Sequence, residues 1–388
     1  MMKKCILSVP PPDMELGIPR DPLEYFVIEP DQGVRSTTGV ILWIPGWGMS
    51  PQDVYSSEKL MPYLANHHNC VVVGVRYHGM RVKVPGADAT LSVDGEWLLN
   101  VHRAYNIPQV SDINQAFQHL AAAGVKAVDQ RFPLLLETGA DYLSFGFLPA
   151  LDHIAVLGEL LKSYAVDRRR MFALGTSYGG YIASLLLKLM PNTLTMVIDN
   201  SGFAKTKKDE LNYREAGLVH NGYASPNGVG FSVIPKPVWS LKDPASKTYF
   251  RPAFDTVRDL TVAEHWGDSK TLLYCFHSQQ DKIAPYADKC AFCAVRSAMA
   301  PTQLITVSSD DIDGHLFKNL VHGLGASMRA LFNHGVELAG PSLRDDTQTD
   351  FDRQTRVALD CADMTYRIDY SQDFSFQAAL SSRHSKTH

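Results

Sequence analysis

The sequence predicts an α/β fold: a doubly wound, mostly parallel sheet interrupted by two long inserted segments. Three observations carry this. Short, continuously apolar runs alternate with helical stretches, as expected of parallel strands covered on both faces. The run Met171–Leu174 leads through Gly175-Thr176-Ser177-Tyr178-Gly179 into a long apolar stretch, Tyr181 to Met190. That reads as strand, sharp turn and helix. Finally, an acidic residue and several histidines follow later strand-like runs, in the places where such a sheet gathers polar groups.

Taken in order, Tyr25-Phe-Val-Ile-Glu29 is a short strand, and Gly39-Val-Ile-Leu-Trp-Ile44 is a fully covered one ended by Pro45-Gly-Trp-Gly48. A helix is expected near Val54–Asn66, then the strand Cys70-Val-Val-Val-Gly-Val75, which closes on Arg76-Tyr-His78. The alternation is lost from about 80 to 145, apart from a helix over Ser111–Ala123 capped by Ser111 or Asp112. It resumes with a helix from Leu148 to Tyr164, whose Leu151, Ile154, Gly158 and Leu161 share one face. After the elbow helix comes the strand Thr195-Met-Val-Ile-Asp199.

Residues 203–270 interrupt the pattern again and are rich in Lys, Gly, Pro and aromatic residues. Structureless connections beyond about 15 residues are uncommon, so this stretch reads as an inserted lid. Strands follow at Thr271–Phe276 and Gln303–Val307, with a helix at Tyr286–Met299 and a final helix near Gly325–Asn333. A main domain is expected over 1–340, with insertions at about 80–145 and 203–270. The polar extension 341–388 carries one alternating piece, Thr365-Tyr-Arg-Ile-Asp-Tyr370, read as an edge strand or hairpin, and a disordered end, Ser381–His388.

The composition bounds the function. At 388 residues, 45% apolar and 20% charged with net charge −4, the chain has the balance of a globular protein and not the basic stripe of a nucleic-acid binder. No apolar stretch reaches the about 18 residues of a membrane span. The Met-Met-Lys-Lys start has too short an apolar run for a signal peptide, whose core needs roughly 7–15 residues. The expected location is cytoplasmic. Cys290-Ala-Phe-Cys293 has the spacing of a metal or redox pair but falls inside a helix with no second pair nearby. Neither a metal nor an organic cofactor is expected.

The elbow makes Ser177 the candidate nucleophile. A hydroxyl is weak near neutral pH and needs a base in reach, itself oriented by an acid. The acid candidate is Asp281, in His277-Ser-Gln-Gln-Asp281-Lys-Ile-Ala-Pro285 just past a buried strand. Asp199 is its rival; Asp288, one turn into the next helix, reads as solvated. The base lies in Asp313-Gly-His315-Leu-Phe-Lys-Asn-Leu-Val-His322-Gly-Leu-Gly325. Both His322 and His315 qualify. His322 is favoured because Gly323 beside it lets the imidazole turn; His334, beyond the last helix, ranks behind both. An oxyanion needs two backbone N–H donors, assigned to Tyr178 and to Trp47, with Gly48 as the alternative to Trp47. The Trp47 side chain is then free to line an acyl pocket, and His78 is read as pocket lining or packing.

With these residues in order, the chain resembles the α/β-hydrolase superfamily from about 25 to 335. Its Gly-Thr-Ser-Tyr-Gly-Gly-Tyr stretch is similar to the elbow of the prolyl-oligopeptidase-like branch. Ile44-Pro-Gly-Trp-Gly-Met-Ser50, Val75-Arg-Tyr-His-Gly79 and Asp313–Gly325 look like a bacterial hydrolase family described mainly as of unknown function, some members of which occur with surface- or flagellar-glycan genes. The resemblance aligns the family's His-Gly pair with His322-Gly323 and implies a serine hydrolase. The expected substrate is a small-molecule acyl ester, short-chain or O-acetyl, with an acylated carbohydrate as one form. Acyl transfer to a sugar hydroxyl and peptide cleavage stand as alternatives. The peptidase ranks lower because no propeller-length segment precedes the domain. A non-catalytic scaffold ranks last.

Overall fold

The structure is a computed structural model and describes residues 1–83, 90–93, 95–216, 220–340 and 346–383. Among the described residues the strands are, in chain order, β1 (Lys3–Leu7), β2 (Leu23–Ile28), β3 (Gly39–Ile44), β4 (Cys70–Val75), β5 (Thr90–Ser92), β6 (Leu134–Glu137), β7 (Met171–Thr176), β8 (Met196–Asn200), β9 (His220–Ala224), β10 (Gly230–Pro235), β11 (Leu272–His277), β12 (Thr302–Thr306), β13 (Arg356–Cys361), β14 (Met364–Tyr370) and β15 (Phe376–Ser382). The chain divides into two compact units. One holds 1–78, 144–206 and 251–388; the other holds 79–143 and 207–250.

The first unit is built on an eight-stranded sheet in the order β1-β2-β4-β3-β7-β8-β11-β12. β2 runs antiparallel to β1 and β4, and every pair from β4 to β12 is parallel. This is the α/β-hydrolase strand order. β3, β4, β7, β8 and β11 are buried at every position, which is why they are apolar without alternation. Successive residues of β8 show the two covered faces. Ile198 belongs to the apolar cluster with Leu331 and Phe332 of the helix Met328–Ala339. Its neighbour Asp199 points the other way, accepting from Ser184 Oγ (3.0 Å) of the helix Tyr178–Leu189.

Several strands escape sequence reading, among them β1, the four of the second unit, and the two that flank Thr365–Tyr370. β1, within the Lys-rich start, is largely exposed and holds to β2 by its ladder, with little core to mark it. The extension beyond 340 forms a three-stranded antiparallel sheet, β13-β14-β15, with Thr365–Tyr370 inside its central strand and not at an edge. Alternate residues Val357, Leu359 and Cys361 of β13 and Tyr366, Ile368 and Tyr370 of β14 are buried. Tyr370 donates to the Leu189 carbonyl (2.9 Å), and Tyr366 donates to Glu15, which is itself locked to Arg258. The extension is therefore part of the unit's core. Of the tail expected to be disordered, Ser381 and Ser382 close β15, and 384–388 lie outside the described residues.

The second unit has its own sheet, β5-β6-β10-β9, in which β6 and β10 are parallel and the other pairs antiparallel. Its core gathers Trp97, Val101, Phe117, Leu120, Leu134 and Val233 from two helices and two strands. Asp112 caps the helix Ile113–Ala122, accepting from the N–H groups of Asn114 (2.9 Å) and Gln115 (3.0 Å). Within 203–270 the second unit takes only 207–250. The helix Pro252–Arg258 returns the chain to the first unit, because Ala253, Phe254 and Val257 are buried there.

A buried ion pair ties the first unit together behind the elbow. Lys289 Nζ bonds Asp199 Oδ2, and both side chains are at most 1% exposed. Burial disfavours the lysine's charge, but the Asp199 carboxylate outweighs it and holds the ammonium above its ordinary range. Lys289→Met leaves Asp199 unpaired in the core and is expected to cost about 3–5 kcal/mol, read as a lowered urea midpoint. Lys289→Met with Asp199→Asn should recover most of that loss.

Candidate active site

The strand β7 turns into the helix Tyr178–Leu189 through one residue. Ser177 sits at φ 54°, ψ −122°, a left-handed backbone that costs a non-glycine residue on the order of 1–3 kcal/mol. Sterics explain the flanking glycines. A Cβ on Gly179 would fall 1.9 Å from the Ile44 carbonyl oxygen, and one on Gly175 would fall 2.3 Å from that of Gly179. The helix start therefore lies directly against β3. Gly46 plays the same part from the opposite loop, since a Cβ there would stand 3.0 Å from Ser177 Cβ. Tyr178 opens the helix, where backbone N–H groups have no intrahelical acceptor. The positive end of the helix points at the serine.

Ser177 Oγ lies 2.6 Å from His322 Nε2, and His322 Nδ1 lies 2.8 Å from Asp281 Oδ2. His322 is 16% exposed and Asp281 1%. His322 stands on the irregular segment after β12, in a turn where Gly323 takes φ 80°. Asp281 stands in the loop after β11, and its Oδ1 accepts from the N–H groups of Ile283 (2.9 Å) and Ala284 (3.0 Å). Burial pushes the Asp281 carboxyl upward, but the His322 bond and the two backbone donors outweigh it. The carboxyl is held below its ordinary range.

The other candidates lie elsewhere. His315 is exposed, its backbone N–H bound to Asp313 Oδ1 (2.8 Å). His334 sits in the helix Met328–Ala339 beside the Phe276 ring. Asp199 is committed to Lys289, and Asp288 to Lys205 at 3.1 Å. His78 is buried, its backbone N–H donating to Asp152 (2.8 Å). Trp47 stacks on Tyr178, centroids 4.4 Å apart and 23° between planes. Phe145 and Phe203 close on Trp47 at 5.6 and 5.7 Å, and Phe203 lies 6.0 Å from the His322 ring. The two phenylalanines carry no sequence signal, because each follows a break in the pattern.

Sequence reading also passed over His277, at the end of β11. Its Nε2 donates to the Ala284 carbonyl (2.9 Å) and lies 3.5 Å from Asp281 Oδ2. Burial, reinforced by the Lys289 charge, lowers its proton affinity and keeps it neutral near pH 7. It braces the loop that presents the carboxylate. The four-residue spacing from Asp281 was the available signal. Among the described residues there is no group of three or more His, Cys, Asp or Glu side chains able to hold a metal ion, and the six cysteines are free thiols. No described helix is long and apolar enough to cross a membrane.

Strand order and the strand–turn–helix at Ser177 together define an α/β-hydrolase fold. The chain belongs to the family described as "Protein of unknown function (DUF2920)", whose model matches residues 7–377. No curated protein matches the sequence. Solved structures similar to it include Est1E from Butyrivibrio proteoclasticus, at 13% identity and TM-score 0.44 over 84% of this chain and 97% of that one. An esterase of Pyrococcus furiosus matches at 11% identity and TM-score 0.47 over 90% and 93%. An acylaminoacyl peptidase of Pyrococcus horikoshii matches at 14% identity and TM-score 0.44 over 89% of this chain and 42% of that one.

The Asp281 geometry fixes a pH dependence. Because the folded carboxyl lies below its unfolded value of about 4, its contribution to stability is complete above that pH and is lost as pH falls through the folded value. The stability difference between wild type and Asp281→Asn should therefore grow as pH rises through the acid limb toward about 4, checked by urea unfolding across that range.

Proposed function

We propose that this protein is a serine esterase that hydrolyses short acyl esters through an acyl-enzyme. The observation that carries the reading is the unbroken contact series from Ser177 Oγ through His322 to Asp281, at 2.6 and 2.8 Å. As Ser177 Oγ attacks the ester carbonyl, its proton passes to His322 Nε2. The Asp281 carboxylate accepts the Nδ1–H bond, fixes the tautomer and favours the imidazolium. The N–H groups of Tyr178 and Trp47 are the donors for the tetrahedral oxyanion. When the intermediate collapses, His322 gives the proton to the departing alkoxide and the alcohol leaves. Water then attacks the acyl carbon and yields its proton to His322. The second collapse releases the carboxylic acid as the proton returns to Ser177.

The aromatic cluster beside Ser177 supports reading the acyl group as short. Trp47, Tyr178, Phe145 and Phe203 pack against one another at 4.4–6.0 Å around the residue that follows Ser177. Closely packed rings leave little room for a chain of several methylenes. An acylated carbohydrate is the alcohol-side candidate that the family resemblance supplies.

The test is a fluorophosphonate probe followed by an ester panel. Wild type should label at Ser177. Ser177→Ala and His322→Ala should each lose on the order of 10⁴- to 10⁶-fold in kcat while remaining folded. The panel runs acetyl, butanoyl and hexanoyl nitrophenyl esters beside an acetylated sugar and an aminoacyl amide. Acetyl should lead and the amide trail. Turnover that persists in Ser177→Ala would sink the reading. Trp47→Ala keeps the backbone N–H and opens the cluster, so the hexanoyl-to-acetyl ratio of kcat/KM should rise about tenfold.

A further inference from the structure

We propose that Asn200 is a positioning residue that sets the separation of Ser177 and His322, holding nucleophile and base on one carboxamide. This rests on the esterase reading above. Asn200 is the last residue of β8 and is fully buried. Its backbone carbonyl accepts the Ser177 N–H at 2.7 Å. Its side-chain Nδ2 donates to Thr176 Oγ1 at 3.1 Å, one residue before the nucleophile. The same Nδ2 donates to the Gly323 carbonyl at 3.1 Å, one residue after the base. A single side chain thus binds both neighbours of the reacting pair.

The chemistry fixes which way the amide faces. The Gly323 carbonyl can only accept, so Nδ2 must point at it. That leaves Oδ1 buried with no partner among the described residues. An unpaired buried acceptor is costly, and an apolar side chain of similar size would avoid it. The two N–H donors are what such a side chain could not supply.

The base needs this tether because of where it stands. The Val321–Gly325 turn closes mostly on itself: Leu324 N–H donates to the Val321 carbonyl (2.8 Å), and Ala326 N–H to that of Gly323 (3.1 Å). Those bonds shape the turn, and Leu324, fully buried in the core cluster, seats it on the sheet, but neither holds the Gly323 peptide in register with Ser177. The Asp281 bond orients the imidazole about its ring, while the Asn200 bond fixes the backbone that carries it. Loss of the second lets His322 drift from Ser177 while Asp281 still holds Nδ1.

Asn200→Asp keeps the shape and removes both donors; Asn200→Ala removes the arm, and Thr176→Val removes one acceptor. Each is examined well below its thermal midpoint. The two Asn200 variants should fall about 10- to 100-fold in kcat and in phosphonylation rate by the fluorophosphonate probe, with KM within about twofold of wild type. Thr176→Val should lose less, and should add nothing on top of Asn200→Asp. A residue that served stability alone would lower the midpoint and leave labelling of the folded fraction unchanged. If wild type labels and Asn200→Asp labels equally fast, the positioning role is overturned and the esterase reading stands. If wild type never labels and turns over nothing in the panel, both fall together.

Discussion

The site depends on how closely one helix start approaches one strand. Nothing larger than hydrogen fits on Gly179, because its place is bounded by the Ile44 carbonyl of β3. That approach brings the helix Tyr178–Leu189 down onto the sheet immediately after β7 and forces the turn into a single residue. The turn residue then takes a left-handed backbone, and its side chain is lifted clear of the sheet. The same approach brings the end of β3, with Pro45, Gly46 and Trp47, against the serine. The placement of Ser177, the helix start and the facing loop are therefore consequences of one packing distance. The helix is buried along almost its whole length, and that burial offsets the strain at Ser177.

The buried carboxylates separate by partner. Asp199 is held by Lys289, Glu15 by Arg258, and Asp152 by Arg20, each pair closed off from water by the side chains around it. Their partners stay charged across the physiological range, so these pairs hold segments together: strand to helix, N-terminal segment to the Pro252–Arg258 helix, and N-terminal segment to the helix Phe147–Ser163. Asp281 differs. Its partner is an imidazole with an edge to solvent, and its other oxygen is held by two backbone donors and not by a fixed cation. Partner identity, more than burial, separates the carboxylate suited to chemistry from those that hold the frame.

What the sequence made legible follows the physics of burial. The inner strands are covered on both faces, so they are apolar throughout and stand out; the elbow helix and Phe147–Ser163 are equally plain. β1 and β15 are edge strands held by ladders, and exposed ladders leave no apolar mark. Asp281 was legible because it follows a buried strand and precedes a proline. The choice between His322 and His315 was not settled by pattern, because the segment between β12 and the last helix has no period. Gly323 was the one local cue, and the structure gives it a positive φ. Asn200, Phe145 and Phe203 were invisible, since their contacts join residues far apart in the chain and no spacing encodes them.

His322, the proposed base, is carried on an irregular turn, so its placement has to come from more than that turn's own hydrogen bonds. A helix would fix a side chain through its own hydrogen bonds; a turn of this kind cannot. Here Leu324 seats the turn in the core, a bond from the loop after β11 holds the imidazole, and a bond from the end of β8 holds the Gly323 carbonyl. One anchor stands at the end of β8 and the other in the loop that follows β11, and the relative positions of these two strands are set by the parallel ladder between them. The length and conformation of the chain between β12 and His322 are then unconstrained by the chemistry, provided the turn can reach those anchors. Precision resides in the sheet and freedom in the loop, so this segment can be polar, aperiodic and partly exposed while ending in a side chain placed within hydrogen-bond distance of Ser177.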